Sequence, residues 1–451
     1  MPNIVLIGAG SASFSIALIR DTVTAGLAGS KVTLVDINEE RLKVAFALAQ
    51  RYSDEVEADL EFNATTDRKK GLAGADFVIC AVKIGGYAPL EAERKIAEEH
   101  GYYRGIGDRV SCYYGGIGAY HQLKFLTDLA QDMEAICPDA YLIQTANPVF
   151  EGTNIITRCT KIKAIGVCHG HFAYRGIAKA LGLELKHVTA QMAGFNHCIW
   201  LTHFLYKGKD AYPLIDEWIE KESEAFWAYG EYVEQMTPGA VGAYKLYGLF
   251  PIGDAVRSGT PWWYHGDFEA KKKWFGNKGG FDSEIGWAEY LGNKPKTYAR
   301  MERLAKDPDV KLTEELPLEG SGEQHIQIID AVTNGRETML QLNIPNNGSI
   351  KGLPDDVLVE IPAVVSGRGV QGLIVGEMPP LVMHNVFIPR WARMENILNA
   401  YLTGDRRPLL LSLMDDPRTI SYDQAKGLID TLFDQPWNTE AAEHYRWRGS
   451  I

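Results

Sequence analysis

Four short stretches of this 451-residue chain carry side chains that could do chemistry together. The densest is Cys168-His169-Gly170-His171, directly after an apolar run that ends at Val167. Further on comes Gly194-Phe195-Asn196-His197-Cys198. Cys168 and His197, one thiol and one imidazole from separate elements, could hold a metal with open positions for a substrate. Their spacing is not the closed pattern of a zinc ribbon. A buried thiol beside satisfied histidines fits the same spacing. Pro251-Ile252-Gly253-Asp254 follows an aromatic stretch that includes Tyr244 and Tyr247. An Asp after Gly in a turn is more often an Asx-type cap than a base. Asn147-Pro148 also reads as a turn, whose carboxamide can orient sugar hydroxyls. Glu323 and His325 lie in Ser321-Gly322-Glu323-Gln324-His325. Both are polar, but without a placed partner they stay unassigned.

A different chemistry opens the chain. Residues 4–7 are a continuous apolar run, followed by Gly8-Ala9-Gly10-Ser11 and Phe14. Glycines after a strand let the backbone turn tightly and approach a pyrophosphate, while the next helix offers amide donors and partial positive charge. Ser13 stands where a third glycine is usual. Asp36, ending a second apolar run, can bond the adenosine ribose diol and disfavours a 2′-phosphate, so NAD is expected over NADP. The candidate cofactor contacts are Gly8, Gly10, Ser11, Phe14, Asp36 and Lys83. A plain α/β turn with an acidic helix cap is the competing account.

The elements that must position these groups are legible from periodicity. Residues 32–35, 77–82, 141–144 and 164–167 read as further buried strands, with helical spacing between them. Leu42, Ala45, Phe46, Ala49 and Tyr52 form one apolar helix face, capped by Asn38. This alternation predicts a doubly wound, Rossmann-like parallel sheet of the lactate/malate dehydrogenase kind. Residues 210–310 are rich in Trp, Tyr and Glu, with breaks at Pro238, Pro251 and Pro261. Residues 339–343 and 357–364 look like strands of a mixed α+β second domain, and 391–413 are largely helical with a break near Pro408. The expected division is 1–190 for NAD and 191–451 for substrate, metal and oligomerisation.

Composition narrows the partners. The chain has 46 Lys and Arg against 58 Asp and Glu, a net charge of −12, which argues against nucleic acid or an anionic membrane surface. No apolar run is long enough to span a bilayer, and the N-terminus is unlike a signal peptide. Six cysteines without a CxxC pair do not make a disulfide framework, so a cytoplasmic, reduced protein is expected.

Taken in order, Gly8-Ala9-Gly10-Ser11 to Phe14, Asn147-Pro148, Cys168-His169-Gly170, Asn196-His197 and Val359-Glu360-Ile361-Pro362 resemble glycoside hydrolase family 4. These are NAD- and divalent-metal-dependent glycosidases, an exception among two-carboxylate glycosidases. In that family Cys-Asp and Cys-Asn accompany phosphorylated α- and β-glucosides. Cys-His goes with non-phosphorylated sugars, and Cys-His-Gly resembles the α-glucuronidase branch. The implied substrate is an α-linked uronic acid glycoside, with galacturonides, glucosides and galactosides as alternatives. The resemblance further implies hydride transfer from C3 of the sugar to NAD, deprotonation at C2, elimination, water addition and return of the hydride with retention.

Residue by residue, Cys168 and His197 match the metal ligands, and Asn147 the group that contacts the sugar hydroxyls. Asp254 stands in place of the C2 base, with Tyr247 as the alternative. His169 stands where the phospho-α-glucosidases carry their acid; a metal-organised water is the other donor. His171 and Arg257 are candidate substrate contacts, and His265 a further candidate for a carboxylate. Thiolate and imidazole favour zinc or iron by softness, whereas the resemblance implies Mn²⁺ completed by substrate oxygens, with sensitivity to thiol oxidation. A homodimer or homotetramer is implied. The rivals are a lactate/malate-type dehydrogenase, which would oxidise its substrate outright, and a non-catalytic NAD-binding regulator. Because NAD and a uronate are anions and the chain is acidic, recognition must come from a local cationic pocket.

Overall fold

The structure, a computed structural model, describes residues 1–111, 115–228, 230, 234–259, 262–318 and 320–448; Pro261 and the Ser13 side chain lie outside it. Six strands form the parallel half of one sheet. They are β1 (Asn3–Ile7), β2 (Ser30–Val35), β3 (Leu60–Thr65), β4 (Phe77–Cys80), β5 (Tyr141–Gln144) and β6 (Lys163–Gly166), in the spatial order β6-β5-β4-β1-β2-β3. That is the doubly wound dinucleotide-binding order. Ile4 to Leu6, Val78, Ile79, Leu142 and Ile143 are buried because helices cover both faces, which is why these strands read as apolar runs. Each such side chain contributes about 1.5–3 kcal/mol on burial. The helix Glu39–Glu55 begins where Asn38 accepts from the Arg41 amide, and it buries Leu42, Ala45, Ala49 and Tyr52.

The later strands do not build a separate sheet. β7 (Val188–Phe195), β8 (Cys198–Tyr206), β9 (Lys209–Asp210), β10 (Phe250–Ile252), β11 (Thr338–Pro345), β12 (Leu358–Ser366) and β13 (Gly369–Gly372) continue the first one in the order β6-β11-β12-β7-β8-β10. The extension is antiparallel, joined to β6 where Asn343 faces Gly166. Local periodicity marks a strand but not its neighbour, so residues 339–343 and 357–364 read as strands without revealing which sheet takes them. One hydrophobic core runs under both halves, and a second cluster around Ile199, Phe204, Trp218 and Phe250 backs β8 and β10.

Proline positions follow backbone logic. Pro238 opens the helix Pro238–Tyr247, whose Thr237 cap accepts from the Ala240 amide. Pro251 sits within the short β10. The helix Ile388–Thr403 stops at Gly404, which takes a left-handed conformation (φ 67°), and Pro408 lies in the first turn of the next helix, Arg407–Met414. No helix among the described residues is long and apolar enough to cross a membrane.

Candidate active site

The groups singled out from sequence collect beyond the carboxyl ends of the parallel strands, where open α/β sheets take their ligands. Gly8 follows β1, Asp36 follows β2, Lys83 lies past β4, Asn147 past β5 and Cys168 past β6. Gly8 takes φ 94°, and its amide donates to the Val35 carbonyl at 2.9 Å, which sets the turn. The Gly10 amide donates to Asp36 Oδ2 at 2.8 Å; a Cβ on Gly10 would stand 2.6 Å from that oxygen. Gly8, Gly10, Ser11, Phe14, Asp36 and Lys83 all line a cleft of about 1900 Å³, which also takes in Asn147, His169 and Glu323. Its size and its glycine-walled phosphate turn suit a dinucleotide.

Beside the cleft, His197 is held from two sides. Asn196 and His197 form the turn between β7 and β8, and His197 takes φ 60°. Its Nδ1 donates to Asp254 Oδ2, and its Nε2 lies 3.2 Å from Asn147 Oδ1. The Asp254 carboxylate and the Asn147 amide oxygen both only accept; Nδ1 carries the hydrogen to Asp254, and Nε2 presents a lone pair to a metal once the cation takes the place of its contact with Asn147. Asp254 Oδ1 in turn accepts from Arg257 Nη2 at 3.0 Å. Burial raises the Asp254 pKa, but His197 and Arg257 outweigh it and lower the pKa on balance. Cys168 stands beside the same group: the Asn196 side chain hydrogen-bonds its sulfur, and the Gly170 amide approaches it at 3.5 Å. Desolvation, reinforced by Glu360, pushes the thiol up to about 12, so it stays protonated until a cation neutralises it.

Among the described residues, no three His, Cys, Asp or Glu side chains could hold a metal ion by themselves. Cys168 and His197 therefore fit an open site completed by ligand oxygens rather than a closed structural one. His197 shows the carboxylate–imidazole pairing that orients a metal ligand.

The remaining sequence candidates separate into exposed and buried groups. His169 is 76 % exposed, with Nδ1 3.5 Å from Glu323 Oε1, and that pairing raises its pKa. His171 turns inward: its Nδ1 meets the Cys168 carbonyl at 2.9 Å, and burial lowers its pKa to about 4. It braces the Cys168 backbone as a neutral ring. Arg257 is fully buried between Asp254 and Asp282, at 3.0 and 3.2 Å. The expected substrate contact is thus a buried support for Asp254, because two protein carboxylates already engage the guanidinium. His265 is likewise buried, its ring tilted against Trp262 with 4.0 Å between centroids. Tyr247 packs edge-on against the buried Trp200, 5.2 Å between ring centroids.

Sequence inspection left four groups without a role. Glu323 pairs with His169 and lies 3.7 Å from His325. Glu360, in β12, is buried and accepts from Asn196 and Asn343 at 3.1 and 3.2 Å. A charged residue inside an otherwise apolar strand was its visible signal. Arg390 and Arg393, on the helix Ile388–Thr403, line a narrow pocket with Asn147 and His197. Nothing in the local sequence points there.

Residues 3–183 match the model of the family 4 glycosyl hydrolases, and residues 192–419 match that of the family's C-terminal domain. An alpha-galactosidase of Bacillus subtilis is 29 % identical over 385 residues, covering 84 % of each chain. An alpha-galacturonidase of Thermoanaerobacter italicus is 25 % identical over 451 residues, covering 96 % of each. The solved 6-phospho-beta glucosidase of Thermotoga maritima, with manganese, NAD⁺ and glucose-6-phosphate, superposes with a TM-score of 0.77 at 19 % identity, covering 100 % of both chains.

Proposed function

The chain belongs to the family 4 glycosyl hydrolases, and from that premise we propose that it cleaves α-linked uronosides, α-D-glucuronides in the first place, with NAD and Mn²⁺. The observation that carries this reading is the meeting of Asn147, Cys168, His197 and Asp254, from four separate elements, beside a dinucleotide-sized cleft. Bound NAD supplies a reversible hydride acceptor for C3, and the metal supplies a Lewis acid for the C2 and C3 oxygens.

The chain's own groups do the rest. The turn from Gly8 to Ser11 receives the pyrophosphate, Asp36 the adenosine ribose, and Phe14 and Lys83 flank the cofactor. Cys168 and His197 hold the metal, and Asn147 fixes the sugar hydroxyls. His169 protonates the departing glycosidic oxygen, and the Glu323 carboxylate keeps it protonated for that step. Asp254 has two candidate roles, C2 base and orienter of His197. The geometry favours the second, since both its oxygens are engaged and its pKa is lowered, which leaves Tyr247, the alternative base, to take the C2 proton. The Cys168-His169-Gly170 sequence supports a non-phosphorylated uronoside. The relative named alpha-galacturonidase supports α-galacturonides as the second reading.

The test is a comparison of aryl α-glucuronide, α-galacturonide and α-glucoside, each with NAD, Mn²⁺ and a thiol reductant. The expected result is preferential uronoside cleavage, no net NADH, and solvent deuterium at C2 of the released sugar. Preferential cleavage of the glucoside overturns the uronoside reading. Absence of deuterium at C2 overturns the elimination route.

A further inference from the structure

We propose that Arg393, with Arg390 beside it, is the pair that binds the sugar carboxylate and sets the preference for an acidic glycone; this rests on the uronoside reading above. The two arginines lie three residues apart on the helix Ile388–Thr403, so both face one way, and each is 9 % exposed. They share a narrow pocket with Asn147, His197, Gly107 and Ser258. The pocket is therefore continuous with the groups assigned to the sugar hydroxyls and the metal.

The two guanidiniums are not equivalent. Arg390 Nη1 donates to Glu151 Oε1 at 2.6 Å, and its guanidinium lies 4.6 Å over the Phe150 ring. Glu151 is fully buried, so this pair is a fixed part of the wall. Arg393 Nη1 donates to the Gly107 carbonyl at 2.6 Å, while its Nε has no partner. Among the described residues, no carboxylate lies within ion-pair distance of Arg393. Burial, with Arg390 and Arg109 nearby, lowers its pKa to about 9 against the opposing pull of Glu151 and Asp108, which still leaves it a cation at neutral pH. Glu151 is engaged by Arg390, and the buried Asp108, next to Gly107, adds a carboxylate whose charge reaches Arg393 without pairing with it.

A buried cation with no carboxylate in direct contact is costly in any fold, so its presence beside a ligand site points to a charge that arrives with the ligand. The planar fork of Arg matches a carboxylate in two parallel hydrogen bonds. The C6 carboxylate of a uronic acid meets these conditions.

The experiment uses the full chain with NAD and Mn²⁺. It reads the ratio of kcat/KM for aryl α-glucuronide to that for aryl α-glucoside, in the wild type, Arg393→Gln and Arg393→Lys. Inhibition by free D-glucuronate, D-glucose and glucose-6-phosphate is measured alongside. Melting temperature and NAD affinity report whether each variant is folded, and Arg393→Lys carries the test if Arg393→Gln is not. The expected result is a drop of about 100-fold in the ratio for Arg393→Gln, and a smaller drop for Arg393→Lys. An unchanged ratio in the folded variants overturns the assignment, even if the wild type cleaves uronosides well. Stronger inhibition of the wild type by glucose-6-phosphate than by glucuronate also overturns it. If the wild type prefers glucosides, yet glucuronate out-competes glucose only while Arg393 is present, the carboxylate site stands and the uronoside reading falls.

Discussion

Replacing Asp254 by Asn separates its two candidate roles. In the folded protein, one carboxylate oxygen accepts from His197 Nδ1 and the other from Arg257 Nη2. Asn keeps the shape but offers one accepting oxygen and one NH₂ donor. Arg257 can only donate, so the amide oxygen turns to it and the NH₂ faces His197. His197 must then accept through Nδ1, which moves its hydrogen to Nε2 and removes the lone pair a metal needs. Loss of such a supporting carboxylate lowers metal affinity about 10–100-fold, or about 1.4–2.7 kcal/mol. The assay is a Mn²⁺ titration of the hydrolysis rate, with direct Mn²⁺ binding measured in parallel. Asp254→Asn is expected to shift the midpoint by that factor and to recover much of its rate at saturating Mn²⁺. An unchanged Mn²⁺ affinity, with kcat down about 10²–10⁴-fold at every metal concentration, would refute the orienting role and leave Asp254 as the C2 base.

Three more perturbations test other parts of the structure. Glu323 raises the His169 pKa, so the acid form survives to higher pH; Glu323→Gln lowers that pKa and should move the alkaline limb of the kcat profile to lower pH, while an unmoved limb removes His169 as the acid. Gly10→Ala drives a Cβ to 2.6 Å from Asp36 Oδ2 and breaks the amide–carboxylate bond, so NAD affinity measured by fluorescence titration should fall about 10–100-fold. Asp282 is buried 3.2 Å from both Lys271 and Arg257 and accepts from the Ile106 amide at 2.7 Å. Asp282→Asn removes the carboxylate that Lys271 pairs with and one of the two that flank Arg257, and should destabilise the fold by about 3–5 kcal/mol in urea denaturation.

What sequence inspection could read was what neighbouring residues decide together. The first two apolar runs, the glycine turn after β1 and Asp36 after β2 lie within the first 36 residues, and the turn chemistry is spelled out by its own side chains. Cys168 and His197 could be singled out as types. Their meeting depends on β6 and β7 being bridged by β11 and β12, strands that arrive more than a hundred residues later. The same holds for Arg390 and Glu151, 239 residues apart, and for Glu323 facing His169. Arg257 looked available for a substrate because its partner Asp282 comes from another loop, and burial is not written in a residue's type. Glu360 was visible as an oddity in an apolar strand, but its two asparagine partners come from β11 and the β7–β8 turn.

The seam between β6 and β11 has a consequence for how this architecture can diversify. Gly166 is tight enough there that a Cβ would stand 2.8 Å from the Asn343 Cβ, and Asn343 in turn holds Glu360 below Asn196. The parallel half and the antiparallel half are thus joined in one sheet rather than hinged as exchangeable cassettes. A foreign C-terminal half could not be grafted on without remaking this seam. Change is more easily accommodated in the loops and helices that lie beyond the strand ends than in the sheet that carries them.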